Sequence, residues 1–166
     1  SIMGTDATST DRVRAVLADD ERLMREQLRA RLAEVWPELE VVGEARNGVE
    51  AVEMTAQLHP DLVFLDIRMP GMTGVDAARQ IAQLPADDAW HGCEIVFITA
   101  YDQYAVEAFE QGVVDYVLKP AERERLQVTV ERIKKRLAQR EAAGVEAEAS
   151  PAALQQLLSK LAAQID

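Results

Sequence analysis

The sequence predicts an α/β domain built on a parallel sheet, and two observations predict it. From Val13 onward, short apolar runs alternate with longer stretches of helical period, as successive βαβ units require. Aromatic residues make up only 5% of a chain that is 48% hydrophobic, which suits an aliphatic, helix-rich core better than a β-sandwich. At 166 residues, one domain with a sizeable core plus an appendage is expected.

Five strands are predicted: Val13 to Ala18, Leu39 to Glu44, Leu62 to Leu65, Ile95 to Ile98 and Asp115 to Leu118. The first helix carries Leu23, Leu28, Leu32 and Val35 and stops before Pro37, because proline lacks an amide donor and restricts the residue before it. Asn47-Gly48 opens the second helix, with Val49, Val52 and Ala56 on one side; His59-Pro60 ends it, His59 serving as a cap or as a partner of the helix dipole. Thr73 or Gly74 opens the third helix (Ala77, Ala78, Ile81, Leu84), which Pro85 closes. Ala86 to Gly92 reads as a surface loop with no apolar period. A fourth helix is expected over roughly Asp102 to Gln111, capped by Gly112. After Pro120 a long helix runs to about Arg140, its stripe of Leu126, Val130, Ile133 and Leu137 read chiefly as a face packed on the sheet.

The ends are read separately. Residues 1–11 lack the basic flank and apolar core of a signal peptide and are expected to be a disordered leader or an expression remnant. Residues 12–140 form the main domain, and 141–149, rich in Ala and Glu, look like a linker. Over 150–166, Ser150-Pro151 supplies an N-cap and a first-turn proline. Leu154, Leu157, Leu158, Leu161 and Ile165 then form an amphipathic stripe that belongs to a fold-back, a dimer contact or the hinge toward a further domain.

Composition excludes several functions. With a net charge of -11 and no Lys/Arg stripe, the chain by itself is a poor partner for nucleic acid. No apolar run approaches the ~20 residues needed to span a bilayer, so a soluble protein is expected. Cys93 is the only cysteine, which excludes an internal disulfide and makes the cytoplasm the default location. His91 and Cys93 have no further ligand nearby in sequence, a weak signal for zinc.

The chemistry sits at the strand ends. Asp19 and Asp20 follow the first predicted strand, Asp66 the third, Thr99 the fourth and Lys119 the fifth. In a doubly wound sheet, ligands bind beyond the carboxyl ends of the strands. Carboxylates crowded there raise each other's pKa unless a cation offsets them, and Mg²⁺ prefers such oxygen donors. Mg²⁺ with few protein ligands commonly shares phosphate oxygens, for which Lys119 and the Thr99 hydroxyl provide a charge and a donor. No serine or cysteine triad is present, but a carboxylate can itself accept a phosphoryl group. Asp66, set between a strand and the turn Met69-Pro70-Gly71, is the candidate.

From about Val13 to Leu137 the chain resembles a response-regulator receiver domain of two-component signalling. The resemblance rests on Asp19-Asp20-Glu21, on the stretch from Asp66 through Arg68-Met69-Pro70-Gly71-Met72-Thr73 to Gly74, on Thr99-Ala100 and on Lys119-Pro120. Ala100 to Glu110 and Val114 to Pro120 are similar to receivers of LytTR-type regulators. The resemblance implies a flavodoxin-like sheet of strand order 2-1-3-4-5 with helices on both faces and a C-terminal helical extension. It implies that Asp66 takes a phosphoryl group from a sensor histidine kinase, with Mg²⁺ held by Asp19, Asp20, Asp66 and the backbone carbonyl of Arg68. Asp20 is the better candidate for direct coordination, and Asp19 for contact through a metal-bound water.

Within the same resemblance, Lys119 pairs with the phosphoryl oxygens and precedes a cis proline peptide. Thr99 donates to the phosphoryl group, Ala100 leaves access, Tyr116 is the switch aromatic, and Arg68 and Tyr101 tune dephosphorylation. The face formed by the fourth helix, fifth strand and fifth helix is the implied output surface and homodimer contact. DNA is reached only through a LytTR-type domain absent from this chain.

Two alternatives compete. A haloacid-dehalogenase-like phosphatase also uses an aspartate nucleophile with Mg²⁺ and lysine, but wants an acid two residues later, where Arg68 stands. A receiver-like module that binds partners without phosphorylation keeps the fold and not the chemistry. Each residue also has a plainer reading: Asp19-Asp20 as a helix N-terminus, Thr99 as a cap, Tyr116 as a half-buried strand residue. A dinucleotide-binding enzyme is weaker, because Asp19-Asp20-Glu21 replaces the glycines that let pyrophosphate approach.

Overall fold

The computed structural model describes residues 12–148 and 151–164. Five parallel strands, β1 (Arg14–Ala18), β2 (Glu40–Ala45), β3 (Leu62–Leu65), β4 (Glu94–Thr99) and β5 (Asp115–Leu118), pair in the order β2-β1-β3-β4-β5. The helices α1 (Arg22–Val35), α2 (Gly48–Leu58), α3 (Gly74–Ala82), α4 (Ala105–Glu110) and α5 (Arg123–Glu148) follow the strands in turn. The fold class and strand order are those expected. The described residues form two compact units, which meet in sequence between Val130 and Glu131.

Alternating side chains explain why the sheet is buried throughout. Val16, Ala18, Val63, Leu65 and Phe97 join one cluster with Ala51 of α2 and Val75, Ala78 and Ile81 of α3. Leu17, Phe64, Val96 and Ile98 alternate with them along the strands and are buried too, the signature of a parallel sheet covered on both sides. Asp115, buried at the start of β5, accepts a two-pronged contact from Arg125 at 2.8 and 2.9 Å and a third bond from Thr129, fastening the start of α5. Burial alone would raise the Asp115 pKa, but these donors and the Tyr116 amide together hold it below the usual carboxylate range.

The helix starts obey local chemistry. Asn47 Oδ1 accepts from the Glu50 amide at 2.8 Å and Thr73 Oγ1 from the Asp76 amide at 3.2 Å, each relieving a free donor at a helix N-terminus. Asn47→Ala is expected to cost about 1 kcal/mol in denaturant unfolding without loss of fold. His59 ends α2 in the left-handed region, with φ 50°, and its amide donates to the Thr55 carbonyl, as its capping role requires.

Three expectations need correction. The fourth helix is shorter than read: α4 begins only at Ala105, preceded by a turn in which the Ala105 amide reaches the Asp102 carbonyl. The loop over residues 86–92 is anchored rather than merely superficial. Trp90 is buried, stacks on His59 at 4.6 Å between centroids, and donates from Nε1 to the Pro60 carbonyl at 2.8 Å. Asp87 shapes the loop by accepting from the amides of Ala89 and Trp90.

The third correction concerns the end of the fifth helix, read near Arg140, since α5 continues through Glu148. Ala and Glu are strong helix formers, and the ~1 kcal/mol cost of Gly144 does not outweigh them. In the second unit, Ile133 is buried and Leu137 partly so. The unit also holds α6 (Pro151–Gln164), on which Leu154, Leu157, Leu158 and Leu161 are exposed. The expected leader 1–11, the cap Ser150 and Ile165 lie outside the described residues. Among the described residues, no helix is long and apolar enough to cross a membrane.

Candidate functional site

Sheet register brings the strand-end acids together. Ala18 of β1 lies opposite Leu65 of β3, so Asp19 and Asp66 emerge side by side; the Asp66 amide donates to the Ala18 carbonyl and the Asp19 amide to the Ala45 carbonyl. β1 is also where the strand order reverses, since β2 lies on one side of it and β3 on the other. Such a reversal opens a crevice beyond the strand ends. On the far side, Thr99 of β4 faces Leu118 of β5, and the Lys119 amide donates to the Thr99 carbonyl. The Lys119–Pro120 peptide is cis, as the resemblance implied.

Lys119 is the centre of this arrangement. Its Nζ donates to Asp19 Oδ2 at 2.6 Å and to Asp66 Oδ2 at 3.0 Å. Asp66 Oδ1 accepts from the Ile67 amide at 2.6 Å, and Asp19 Oδ1 from the Glu21 amide at 2.9 Å. Asp20, by contrast, is exposed. Burial raises the Asp19 pKa against the opposing pull of Lys119 and the Glu21 amide. For Lys119, burial alone would lower the value, but its hydrogen bonds to Asp19 and Asp66 raise it. Both directions have one reading: an acid-rich site with a single lysine holds its protons tightly.

The acids border a cavity of about 530 Å³ whose wall includes Asp19, Asp20, Asp66, Arg68, Ala100, Tyr101 and Lys119. One carboxylate oxygen each from Asp19, Asp20 and Asp66 lies within 4.8 Å of the others. This all-oxygen, acid-rich donor set fits a hard divalent cation such as Mg²⁺. Gly74, at the start of α3, packs so closely on the site that a Cβ there would overlap the Asp66 carbonyl oxygen.

The remaining candidates occupy the rim. Thr99 is fully buried, and its Oγ1 accepts from the Tyr101 amide at 3.4 Å; it is not part of the cavity wall. The Tyr116 hydroxyl donates to the Tyr101 carbonyl, and its ring lies between Phe97 and Phe109 at 6.1 and 6.4 Å between centroids. Arg68 stands 4.4 Å over the Tyr101 ring and donates from Nε to the Tyr104 hydroxyl at 3.3 Å. Val106, Phe109 and Leu118 leave an exposed apolar area on α4 and β5.

Two contacting residues were not foreseen. Tyr104 had no signal beyond its place in the stretch expected to form the fourth helix. Arg25 lies six positions after Asp19, where one turn of α1 returns toward the acids, and it donates from Nη1 to the Asp19 carbonyl at 2.7 Å.

Comparison with known proteins gives a consistent result. Residues 15–131 match the family model described as the response regulator receiver domain. An uncharacterized response regulatory protein of Vibrio cholerae serotype O1 is 50% identical over 123 residues, covering 74% of this chain and 45% of that protein. The transcriptional regulatory protein BtsR of Escherichia coli (strain K12) is 40% identical over 122 residues, covering 74% and 48%. The crystal structure of the response regulatory domain of protein mrkE from Klebsiella pneumoniae superposes with a TM-score of 0.68 at 31% identity, over 76% of this chain and 99% of that one. The chain thus spans just under half the length of these two full-length relatives. With the strand order, the acid cluster and the matched residues in agreement, the chain belongs to the response-regulator receiver domains of two-component systems.

Proposed function

We propose that this chain is the phosphoacceptor of a two-component relay, taking a phosphoryl group from a sensor histidine kinase onto Asp66. The observation that carries this reading is Lys119 Nζ within hydrogen-bond distance of both Asp19 and Asp66 at the mouth of an acid-lined cavity. A carboxylate oxygen of Asp66 attacks phosphorus, an O–P bond forms as the N–P bond of the donor phosphohistidine breaks, and the released imidazole takes its proton from water. Asp19, Asp20, Asp66 and the Arg68 carbonyl would hold Mg²⁺, which supplies charge neutralisation for the transferring oxygens. Asp20 would be the direct ligand, and Asp19 would act through a metal-bound water. Lys119 then moves its hydrogen bonds to the new phosphoryl oxygens.

The switch is a charge event. Phosphorylation adds about -1.5 to -2 charges at Asp66, and a unit pair at ~4 Å with an effective dielectric of ~20 is worth about 4 kcal/mol before desolvation. That is enough to shift a two-state element whose forms differ by a few kcal/mol. Thr99 and Tyr116 carry the change to the face of α4, β5 and α5, where the exposed Val106, Phe109 and Leu118 suit a homodimer contact. The output is transcription control in the cytoplasm, through a LytTR-type DNA-binding domain outside this sequence. The description of the relative BtsR as a transcriptional regulatory protein supports the transcriptional part of that reading. Residues 12–140 are the receiver, and the helical stretch beyond leads toward the output domain.

The phosphatase alternative is disfavoured by Arg68, which stands where a general acid is needed and is engaged with Tyr101 and Tyr104. The test is intact mass after incubation with Mg²⁺ and phosphoramidate, followed by peptide mapping. One hydroxylamine-labile phosphoryl group on Asp66 is expected. No adduct, an adduct on another residue, or turnover of many unrelated phosphate esters would overturn the proposal.

A further inference from the structure

Arg25 takes no part in the phosphoryl chemistry, yet it is the side chain that grips the acidic loop from outside. Its Nη1 donates to the Asp19 carbonyl at 2.7 Å, while its Nε donates to Glu44 Oε1 at 3.0 Å. Glu44, on β2, is held in turn by Arg29 at 3.1 and 2.7 Å, and that contact, aided by Arg25, keeps its carboxyl below the usual range. Only 11% of the Arg25 side chain is exposed, and it forms part of the cavity wall. The guanidinium is thus a fixed brace from α1 and β2 to one carbonyl oxygen.

That oxygen belongs to the peptide joining Asp19 to Asp20. Holding it fixes the plane of the peptide, and with it the direction in which each of the two carboxylates leaves the backbone. The Asp19 side chain has further ties, to Lys119 and the Glu21 amide. Exposed Asp20 has no such tie among the hydrogen bonds described above, so the backbone that carries it matters more. We propose that Arg25 is a positioning residue for the divalent-cation site, ordering the Asp19-Asp20 peptide so that both acids face the same ion. This inference rests on the Mg²⁺ role given to these acids above.

Electrostatics alone predicts the reverse. A cation beside a cation site repels the ion, so its removal would tighten binding. Glu44 offsets part of this repulsion, because its one carboxylate is shared by Arg25 and Arg29, and on this inference the geometric contribution outweighs the remainder. Arg and Lys also differ in what they can do: a planar fork spans the Asp19 carbonyl and Glu44 together, whereas an ammonium is a point charge.

The test measures Mg²⁺ binding to the metal-free full chain by calorimetry, with no phosphodonor present. Arg25→Met is expected to weaken binding about tenfold, in the range found when groups that orient metal ligands are removed. Arg25→Lys, which keeps the charge, is expected to stay several-fold weaker than wild type, and Glu44→Gln, which loosens the brace while keeping the carbonyl contact, about two- to threefold weaker. At saturating Mg²⁺ the phosphoryl adduct on each variant should reach the wild-type level, and the unfolding midpoint in chelator should stay within a few degrees of wild type. Unchanged or tighter binding by Arg25→Met, full recovery by Arg25→Lys, or a loss equal at all Mg²⁺ concentrations would overturn the inference. Absence of Mg²⁺ binding by the wild type would instead overturn the functional reading on which it rests.

Discussion

Lys119→Met is expected to lower the rate of Asp66 phosphorylation by at least ~100-fold at saturating Mg²⁺, the scale seen when a pre-aimed charge donor is removed. It is also expected to cost the metal-free protein about 3 kcal/mol at neutral pH, because breaking a largely buried ion pair leaves the partner charges uncompensated. Lys119 is 19% exposed and each of its two acids 10%, so solvent screens the loss only in part. The pH dependence has a definite sign. Asp19 already has a raised pKa, from burial against the pull of Lys119. Without Lys119 that value rises further, so the folded state binds a proton more tightly than the unfolded one. The variant's stability therefore improves as pH falls through the raised Asp19 value toward the ordinary one near ~3.9. Chemical denaturation of chelator-treated protein across that range checks this. A variant equally destabilised at all pH values would contradict the account, and Mg²⁺ should restore stability at neutral pH.

Gly74→Ala is expected to destabilise the fold by about 2–3 kcal/mol and to slow phosphorylation at the same time. The new methyl would overlap the Asp66 carbonyl oxygen, and it would lie 2.9 Å from the Asp66 carbonyl carbon and the Ile67 Cα. These are backbone atoms, so no rotamer change relieves the clash. The start of α3 must lift away from β3, or Asp66 must move. The Gly74 amide also donates to the Ile67 carbonyl at 2.7 Å, which ties the two segments together. Gly144, within α5, provides the control: a Cβ there meets nothing within 4 Å, and Gly144→Ala should gain up to ~1 kcal/mol. Urea unfolding of both variants with the phosphoryl-uptake rate of each would decide. Wild-type stability for Gly74→Ala would mean that the packing at this position is looser than described.

Much of the site was legible in the sequence because its chemistry is local to strand ends. Asp19, Asp66 and Lys119 each follow a short aliphatic run, and parallel pairing in the 2-1-3-4-5 order gathers strand ends on one edge without long excursions. What was not legible depends on contacts distant in sequence. Trp90 reads as a loop residue by composition, and only its position against His59 and Pro60, thirty residues earlier, makes it a core residue. Arg25 reads as one more charge on an amphipathic helix, since its partners are a main-chain oxygen and a glutamate on another strand. The stretch beyond Arg140 was read as lying past the end of the fifth helix, and that expectation failed for a different reason. The compositional shift there toward Ala and Glu marks a change of environment, while the same residues have the highest intrinsic helix preference, and propensity prevailed.

The aromatic residues divide the molecule by spectroscopy. The three tyrosines, Tyr101, Tyr104 and Tyr116, are all linked at the rim beside Arg68, whereas the two tryptophans, Trp36 and Trp90, are buried and neither borders the acid cavity. Light absorbed by indole therefore reports on the integrity of the scaffold and is largely blind to events at Asp66. Ring-labelled tyrosine in magnetic resonance reports on the opposite quantity, with Tyr116 sensing the rim directly. One sample carries two independent optical and magnetic gauges, one for unfolding and one for signalling, with no foreign probe attached.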